Sequence, residues 1–342
     1  MIFSLIFIFL YNFTLWELFT KEFLFVKKGK QIGDLSRLSY LKGLRFEKLN
    51  NNNLPKKHLR FEGAFEDIDV ITIGDSFSNG GGGGLNAFYQ DFIATKYDFK
   101  VLNIKPISNG YIETILALNK AGLLEKFKPE YIILQSIERR VINRFAKVVD
   151  WKMVADEKKI TKKLFVRYTN NIPEYFFFNS SNFKAPLYNI LYKFDDNAYI
   201  SKAYLTTLKR NMFNTKSQNK LLFFSGDINN TNFTKNSIQD LNSNLNKISN
   251  ILNQKNIKLV FMPNVNKYNL YSEYILDQSK YPKSNFFEEM RIQNKNYIFI
   301  DTKKILKNLL DKGIMNVYFP DDTHWTDIGS SEVVDHLPFD SN

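Results

Sequence analysis

Short runs of β-type residues alternate with helix-length segments over most of this chain, and no other feature constrains the fold as strongly. Such alternation is typical of a parallel sheet that is covered by helices on both faces. We therefore predict an α/β protein, built as a doubly wound three-layer α/β/α sandwich around a central parallel sheet. The predicted strands are residues 67–73, 99–104, 131–134, 258–262 and 297–300.

The segments between these strands have the length and pattern of helices, with one long exception. Residues 140–234 break the rhythm, and we interpret them as a large insertion between the third and fourth core strands. A connection this long is more often functional than idle, so it is a candidate wall for an acceptor site. Asp327 is expected to cap the last helix. The predicted helices are residues 85–96, 111–126, 238–254, 302–312 and 327–337.

The first predicted strand runs into a turn at a hydroxyl group, in the sequence Ile-Gly-Asp-Ser that ends at Ser76. A serine becomes a nucleophile when a base takes its proton, and the base needs a carboxylate to hold its tautomer. His324 lies near the other end of the chain, two positions after a pair of aspartates, and can serve as that base. Ligands of open α/β sheets bind beyond the carboxyl ends of the strands, where Ser76 is predicted to lie.

Gly-Asp-Ser after a strand, together with Asp-x-x-His before a C-terminal helix, resembles the SGNH/GDSL hydrolase superfamily, whose sheet is flavodoxin-like. The likeness runs from about residue 67 to residue 337. It implies that Ser76 is the nucleophile, that His324 is the base and that Asp321 orients the histidine. The sequence Asp-Thr-His-Trp more closely resembles the alginate O-acetyltransferase-like subset, where the aspartate stands two positions before the histidine. Asp322 therefore competes with Asp321 for the orienting role.

The chain departs from these relatives in two ways. In the alginate-type proteins the Asp-His segment precedes the serine, whereas here the serine comes first, as in ordinary SGNH enzymes. The Gly-x-Asn-Asp block of the superfamily is also missing after the third strand, where the chain carries Glu138 and Arg139. That pair resembles a Glu-Arg pair of acetyltransferase-like relatives, so Arg139 is a candidate substrate or oxyanion contact. Gly329 stands where the family usually has a glycine after the histidine.

Several further residues are candidates for the site, and each of them also has an ordinary structural explanation. Gly110 lies where the superfamily places its second oxyanion donor, with Asn109 as a neighbouring donor, although a loop glycine that permits positive φ fits as well. Trp325 is a candidate wall of the site or a stacking surface for a sugar ring, but large aromatics are more often core. Lys267 and Tyr268 resemble a Pro-x-x-x-Lys-Tyr stretch of acetyltransferase-like relatives, and a solvent-exposed loop is the alternative.

Five consecutive glycines, residues 80–84, follow the candidate nucleophile. The Gly-x-x-x-x-Gly-Lys-Ser/Thr arrangement of a phosphate-binding loop is absent. Glycine weakens helices, so we interpret this run as a flexible lip on the active site that delays the following helix.

Composition narrows the partners and excludes thiol chemistry. The net charge of +12 favours polyanionic partners such as acidic glycans, although lysines in asparagine-rich loops are also common on plain solvated surfaces. No run of aromatics alternates with arginines, so we expect no nucleic acid. The chain has no cysteine, which excludes disulfides and thiolate metal sites, and three histidines without a cluster predict no metal or cofactor.

The first sixteen residues carry no charged side chain and would span roughly 24 Å as a helix, somewhat less than the hydrocarbon thickness of a bilayer. We interpret residues 1–26 as a retained membrane anchor, with a buried or interfacial helix as the alternative, residues 27–63 as a basic connector and residues 64–342 as the catalytic domain. A membrane-anchored domain in the periplasm or another extracytoplasmic space is expected. Lys27 and Lys28 follow the apolar run and oppose this orientation under the positive-inside rule.

Together these features predict serine-dependent transfer of an acetyl group to or from an acidic or neutral bacterial cell-surface polysaccharide through an acetyl-serine. The resemblance also implies a membrane acyl-transfer partner as the donor. A carbohydrate esterase or lipase-like hydrolase is the alternative among enzymes. A catalytically silent glycan-binding assembly protein is the alternative outside enzymes, because the asparagine block is missing.

Overall fold

A five-stranded parallel sheet forms the centre of the protein in the computed structural model, which describes residues 2–24, 32–48, 53–108, 110–165 and 176–339. Its strand order is β2-β1-β3-β6-β7, with all neighbours parallel. The five core strands thus follow the 2-1-3-4-5 order of doubly wound flavodoxin-like sheets. The strands are β1 Val70–Ile73, β2 Val101–Ile104, β3 Tyr131–Ile137, β6 Lys258–Asn264 and β7 Ile298–Phe299.

The central strands are almost entirely buried, which explains why they could be predicted as continuous apolar runs. Every residue of β1 and β3 is buried, and Ile73 at the end of β1 pairs in register with Ile104 and Leu134. All five predicted strands are present, and the predicted three-layer α/β fold is confirmed.

The helices that cover the sheet form two groups, and each helix packs mainly against members of its own group. Helices α4, α14 and α15 pack against one another, whereas α5, α7, α11 and α13 form a second layer around α11. The helices are α1 Ile2–Leu15, α2 Lys21–Leu24, α3 Asp34–Ser39, α4 Tyr89–Tyr97, α5 Tyr111–Lys120, α6 Leu123–Phe127, α7 Val141–Phe145, α8 Glu157–Leu164, α9 Ser181–Leu191, α10 Ser225–Ile228, α11 Lys235–Asn253, α12 Lys267–Tyr271, α13 Phe286–Arg291, α14 Thr302–Asp311 and α15 Asp327–Asp335.

Three helix predictions differ from the structure. The predicted helix 85–96 begins only at Tyr89, because residues 85–88 are not helical. The predicted helix 111–126 is interrupted, because Gly122 adopts a left-handed φ of +68° between α5 and α6. The predicted cap Asp327 is the first residue of α15, and the capping position belongs to Thr326.

The predicted insertion has some structure of its own. It contains α7 to α10 and a two-stranded antiparallel sheet of β4 Ala203–Thr207 and β5 Lys220–Phe224. The described ranges also contain four short 3₁₀ turns, at Lys42–Leu44, Glu138–Arg140, Ser272–Tyr274 and Gln278–Lys280.

An apolar helical segment opens the chain. A π-helical turn, Trp16–Thr20, joins α1 to α2 and makes one helical stretch, Ile2–Leu24, with a mean hydropathy of 1.8. Its length of 23 residues corresponds to roughly 34 Å, enough to cross a membrane. Most of α1 is exposed, so this stretch is not a core helix of the domain.

Candidate active site

The end of β1 and the turn after it hold Ser76 at the surface. A Cβ on Gly74 would lie 1.9 Å from Ser78 Oγ and 2.4 Å from Gln135 Oε1, so only glycine fits between strand and turn. Asp75 closes the turn, since its carboxylate accepts from the backbone N–H of Phe77 at 3.1 Å. The neighbours of Ser76 are buried or half-buried, but Ser76 itself is exposed.

His324 lies in a loop, residues 318–325, that is distant from Ser76 in the sequence but packs against it in the structure. The loop is closed by an antiparallel bridge between Tyr318 and Trp325, and the N–H of Phe319 donates to the carbonyl of His324 at 3.1 Å. His324 Nε2 lies 2.7 Å from Ser76 Oγ. This is the hydrogen-bond distance that a nucleophile and its base require.

Asp322, and not Asp321, contacts the histidine. Asp322 Oδ1 lies 2.6 Å from His324 Nδ1 and also accepts from the His324 backbone N–H at 3.2 Å. The second bond is an Asx turn, in which an aspartate bonds the backbone two residues on. Asp321 turns away, and its carboxylate accepts from the N–H of Gly33 at 3.2 Å and from Ser36 Oγ at 3.3 Å. The structure therefore brings together Ser76, His324 and Asp322 and leaves Asp321 out of this chain of hydrogen bonds.

The segment predicted as a connector lies directly against these residues. Lys48 Nζ forms an ion pair with Asp322 Oδ2 at 3.0 Å, and only 4% of the Lys48 side chain is exposed. The carboxylate of Asp34 accepts from the backbone N–H of Thr323 at 2.9 Å and from its hydroxyl at 2.5 Å. Neither residue was predictable from the sequence, because Asp34 and Lys48 lie in no recognisable motif.

Burial and charge set the protonation of this group. Burial alone would lower the pKa of His324, but the negative charge and the hydrogen bond of Asp322 outweigh it and raise that pKa. Burial alone would raise the pKa of Asp322, but the positive charges of His324 and Lys48 lower it. Burial, followed by the charge of Asp322, raises the pKa of Asp34 to about 6. A carboxylate that stays ionised beside the imidazole is what a serine–histidine pair needs.

Lys267 supports the same loop from inside the protein. Its side chain is fully buried, and Nζ donates to the carbonyl oxygens of Phe319 and Pro320 at 2.8 Å each. Burial lowers the pKa of Lys267 to about 8. Tyr268 is also fully buried. The alternative of a solvent-exposed loop at these two residues is therefore wrong, and Lys267 holds the backbone that leads into Asp322.

The glycine run packs over the serine–histidine pair. The N–H of Gly81 donates to the carbonyl of Ser76 at 2.6 Å, and a Cβ at Gly81 would lie 2.3 Å from His324 Nε2. Gly82 adopts a φ of +84°, and its carbonyl accepts from Lys48 Nζ. The expected lip is thus in contact with the site, and its glycines are required by close approach and by backbone conformation.

Trp325 packs below the nucleophile turn. Only 4% of it is exposed, and its ring meets Phe77 edge to face at 5.1 Å between centroids. Phe77 in turn lies 4.6 Å from the imidazole of His324. Trp325 also lines a small cavity of about 10 Å³ with Phe319 and the glycine run. This position corresponds to the core alternative, and a buried ring is not available for stacking on a sugar.

Two predicted oxyanion contacts have other partners. The N–H of Gly110 donates to the carbonyl of Ile107 at 3.0 Å, so this donor is already used in a turn. Arg139 Nη1 donates to Asp227 Oδ1 at 2.8 Å, and Asp227 is fully buried. The backbone N–H of Gly110 is therefore used inside the protein, and one guanidinium nitrogen of Arg139 is held by Asp227. Asn109 lies outside the described residues.

Glu138 anchors the same region in place of the missing asparagine block. It is fully buried and accepts from the backbone N–H of Asn266 and from the side chain of Asn269, at 2.8 Å each. Burial raises its pKa to about 7. Ser284 Oγ also donates to it. Glu138 therefore ties the end of β3 to the end of β6.

Ligand atoms of Asp34, Asp322 and His324 lie within 4.8 Å of one another, a spacing that a metal ion could use. Asp322 already bonds His324 with one oxygen and Lys48 with the other. The charges in this cluster are thus balanced by a lysine, and its hydrogen bonds are those of an acid–base system.

The doubly wound sheet, the exposed serine after its first strand and the hydrogen bond of that serine to His324 are the features that the resemblance to SGNH hydrolases implied. Residues 216–337 match the family model described as SGNH hydrolase-like domain, acetyltransferase AlgX. The match confirms the resemblance to the alginate O-acetyltransferase-like subset. It covers Lys267, Asp322 and His324 but not Ser76. Neither a curated protein nor a solved structure matches the chain.

Proposed function

We propose that the protein transfers an acetyl group to a cell-surface polysaccharide through an acetyl-serine at Ser76. The observation that carries the proposal is the continuous hydrogen-bond chain from Ser76 Oγ through His324 to Asp322, at 2.7 and 2.6 Å. The match to an acetyltransferase domain supports acyl transfer on a polysaccharide in general.

The proposed chemistry begins when His324 Nε2 takes the hydroxyl proton of Ser76 as its oxygen attacks the acetyl carbonyl carbon. The tetrahedral oxyanion collapses, the bond to the donor breaks, and the imidazolium returns the proton to the leaving group. Acetyl-serine remains. His324 then takes the proton of a sugar hydroxyl, whose oxygen attacks the acetyl carbon. The bond from that carbon to Ser76 Oγ breaks, and the imidazolium returns the proton to Ser76 Oγ. The negative charge of Asp322 stabilises the imidazolium in both halves of the reaction.

The backbone N–H of Ser76 is the oxyanion donor that we retain. In a turn directly after a strand this N–H can point to the oxygen that becomes negative. Gly110 and Arg139 are not proposed again, because their donors bond Ile107 and Asp227.

An extended polymer fits the site better than a small enclosed ligand. Ser76 is exposed, and the cavity beside it holds only about 10 Å³. Small-molecule sites are usually concave pockets of several hundred Å³. The net charge of +12 favours an acidic polymer over a neutral one.

We further propose that the helix Ile2–Leu24 anchors the protein in a membrane, with the catalytic domain on the extracytoplasmic side, where such polymers are found. A membrane acyl-transfer partner would then supply the acetyl group. This partner is suggested by the resemblance alone.

The experiment is an acetyl-transfer assay with p-nitrophenyl acetate as donor and an acidic oligosaccharide as acceptor. Acetylated sugar is measured by mass spectrometry for the wild-type chain, for Ser76→Ala and for Ser243→Ala, a serine exposed on α11. The proposal predicts acetylated sugar from the wild type and from Ser243→Ala, and none from Ser76→Ala. Acetate release that is independent of the acceptor would identify an esterase. If no product depends on Ser76, the glycan-binding alternative replaces the proposal.

A further inference from the structure

Helix α9 of the insertion is apolar on two opposite faces. Its residues Asn182, Ala185 and Tyr188 are buried against the protein. Phe183, Leu187 and Ile190 share the other face at helical spacing and are exposed. Further exposed phenylalanines flank the helix at positions 176, 178 and 194. A helix that is apolar all round is usually covered on all sides, so its outer face needs an occupant.

Helix α9 and the residues just before it pack along the N-terminal apolar helix. Before α9, the ring of Phe177 meets Phe9 edge to face at 5.2 Å. Within α9, the ring of Phe183 lies 5.4 Å from that of Tyr11. Further along, Tyr188 joins the buried cluster around Phe23, near the other end of the apolar helix. The two helices therefore run side by side in the same direction.

A pair of asparagines joins the two helices within this apolar surface. Asn182 Nδ2 donates to Asn12 Oδ1 at 3.1 Å, and both residues are buried. Asn12 Nδ2 donates in turn to the carbonyl of Ile8 at 3.0 Å. A side-chain amide in hydrocarbon is costly unless it is hydrogen-bonded, so α9 provides the partner that Asn12 would lack in lipid.

Ion pairs mark the polar end of this helix pair. Lys21 and Glu17 form an ion pair at 2.9 Å, and Glu22 pairs with Arg45 at 2.7 Å. Asn12 lies five residues before Glu17, which corresponds to roughly 8 Å along the helix. The start of α9 is thus level with the uncharged part of the N-terminal helix, and its end is level with the ion pairs.

We propose that α9, together with residues 176–178, inserts into the lipid bilayer beside the N-terminal helix. The occupant of the outer face is lipid, because that face is continuous with the exposed apolar surface of a helix long enough to span a membrane. Phe178 and Phe183 lie deeper in the acyl chains, and Ile190 lies near the headgroups. Lys184 is exposed at the edge, from where its long side chain reaches the headgroups. Two helices then hold the catalytic domain at a defined tilt over the membrane, as one anchor cannot.

Because the chain has no cysteine, a fluorescent label can be attached at one introduced cysteine and nowhere else. Single-cysteine variants of the full chain, Phe183→Cys and Ile190→Cys, are labelled with an environment-sensitive fluorophore and reconstituted into phosphatidylcholine–phosphatidylglycerol vesicles. Ile292→Cys is the matched control, because Ile292 is apolar, is 74% exposed and lies outside the insertion, after α13. Quenching by nitroxides on the lipid acyl chains is compared with quenching by aqueous iodide.

The proposal predicts that acyl-chain nitroxides quench the label at residue 183 several-fold more than the label at residue 292, with residue 190 quenched best by a shallow nitroxide. Iodide quenching of residues 183 and 190 equal to that of residue 292 would overturn it. Protection from both quenchers, together with disulfide-linked dimers of unlabelled Phe183→Cys under oxidising conditions, would assign the face to a second copy and overturn it too. Unchanged unfolding temperatures establish that the variants fold. The quenching experiments are repeated with chains that also carry Ser76→Ala. The same quenching in these chains shows that bilayer insertion does not depend on the proposed chemistry.

Discussion

At the scale of residues, two adjacent aspartates have different partners. Asp322 bonds His324, whereas Asp321 bonds the backbone of Gly33 and the hydroxyl of Ser36. We predict that Asp322→Asn lowers kcat on the order of 10³–10⁴-fold, because the amide no longer stabilises the imidazolium. Asp321→Asn serves as the matched variant and is expected to keep most of the turnover. Kinetics with p-nitrophenyl acetate measures both, and equal losses would contradict this assignment.

The protonation of His324 gives a second prediction at this scale. Its pKa is raised above 6.5, and the proposed mechanism uses the neutral imidazole. The value of kcat/KM should therefore fall as pH decreases through a pKa above 6.5. The charge of Asp34 contributes to the raised pKa, so Asp34→Asn should move this acid limb to lower pH. A pH profile of both proteins decides the point, and a rate that rises as pH falls below 6.5 would exclude His324 as the base.

The variant Lys48→Met tests whether residues 27–63, which were predicted to be a connector, contribute to the site. Lys48→Met leaves the buried carboxylate of Asp322 without its lysine partner, and we predict a loss of about 3–5 kcal/mol of folding stability together with lower activity. Lys56→Met is the control, since the ion pair of Lys56 with Asp98 is exposed and its loss should cost less than about 1 kcal/mol. Chemical denaturation measures both. Similar values for the two variants would argue that Lys48 has no special role.

At the scale of elements, the glycine run packs directly against the serine–histidine pair. We predict that Gly81→Ala abolishes most activity while the protein stays folded, because the added Cβ would lie 2.3 Å from His324 Nε2. Gly43→Ala is the control, since its nearest heavy atom would be 3.5 Å away. Turnover and circular dichroism are measured together. Full activity in Gly81→Ala would mean that this loop does not hold the observed position.

The elements also explain how much could be predicted from the sequence. Strands such as β1 and β3 are buried on both faces, so they appear as apolar runs bounded by turns. Ser76 and His324 were predictable because each lies in a short local motif. Lys48 and Asp34 were not, because their contacts join an irregular segment to a loop more than 270 residues away. Lys267 was misjudged in its exposure, since a fully buried lysine is rare.

At the scale of the whole molecule, the N-terminal region and the catalytic residues are physically connected. The chain passes from the apolar helix to a segment whose residues 33, 34, 36 and 48 contact the loop of Asp322. The insertion packs against the same apolar helix through α9. The turn after β1, residues 33–48 and the loop of Asp322 therefore form the site together.

The most direct measurement is the covalent state of Ser76 during turnover. The wild-type chain is mixed with p-nitrophenyl acetate, quenched in acid and digested, and the peptide that contains Ser76 is examined by mass spectrometry. The account predicts one acetyl group on Ser76, which disappears when an acidic oligosaccharide is added and never forms in Ser76→Ala. Turnover that proceeds without acetyl-Ser76, or an acetyl group that the acceptor does not remove, would contradict it.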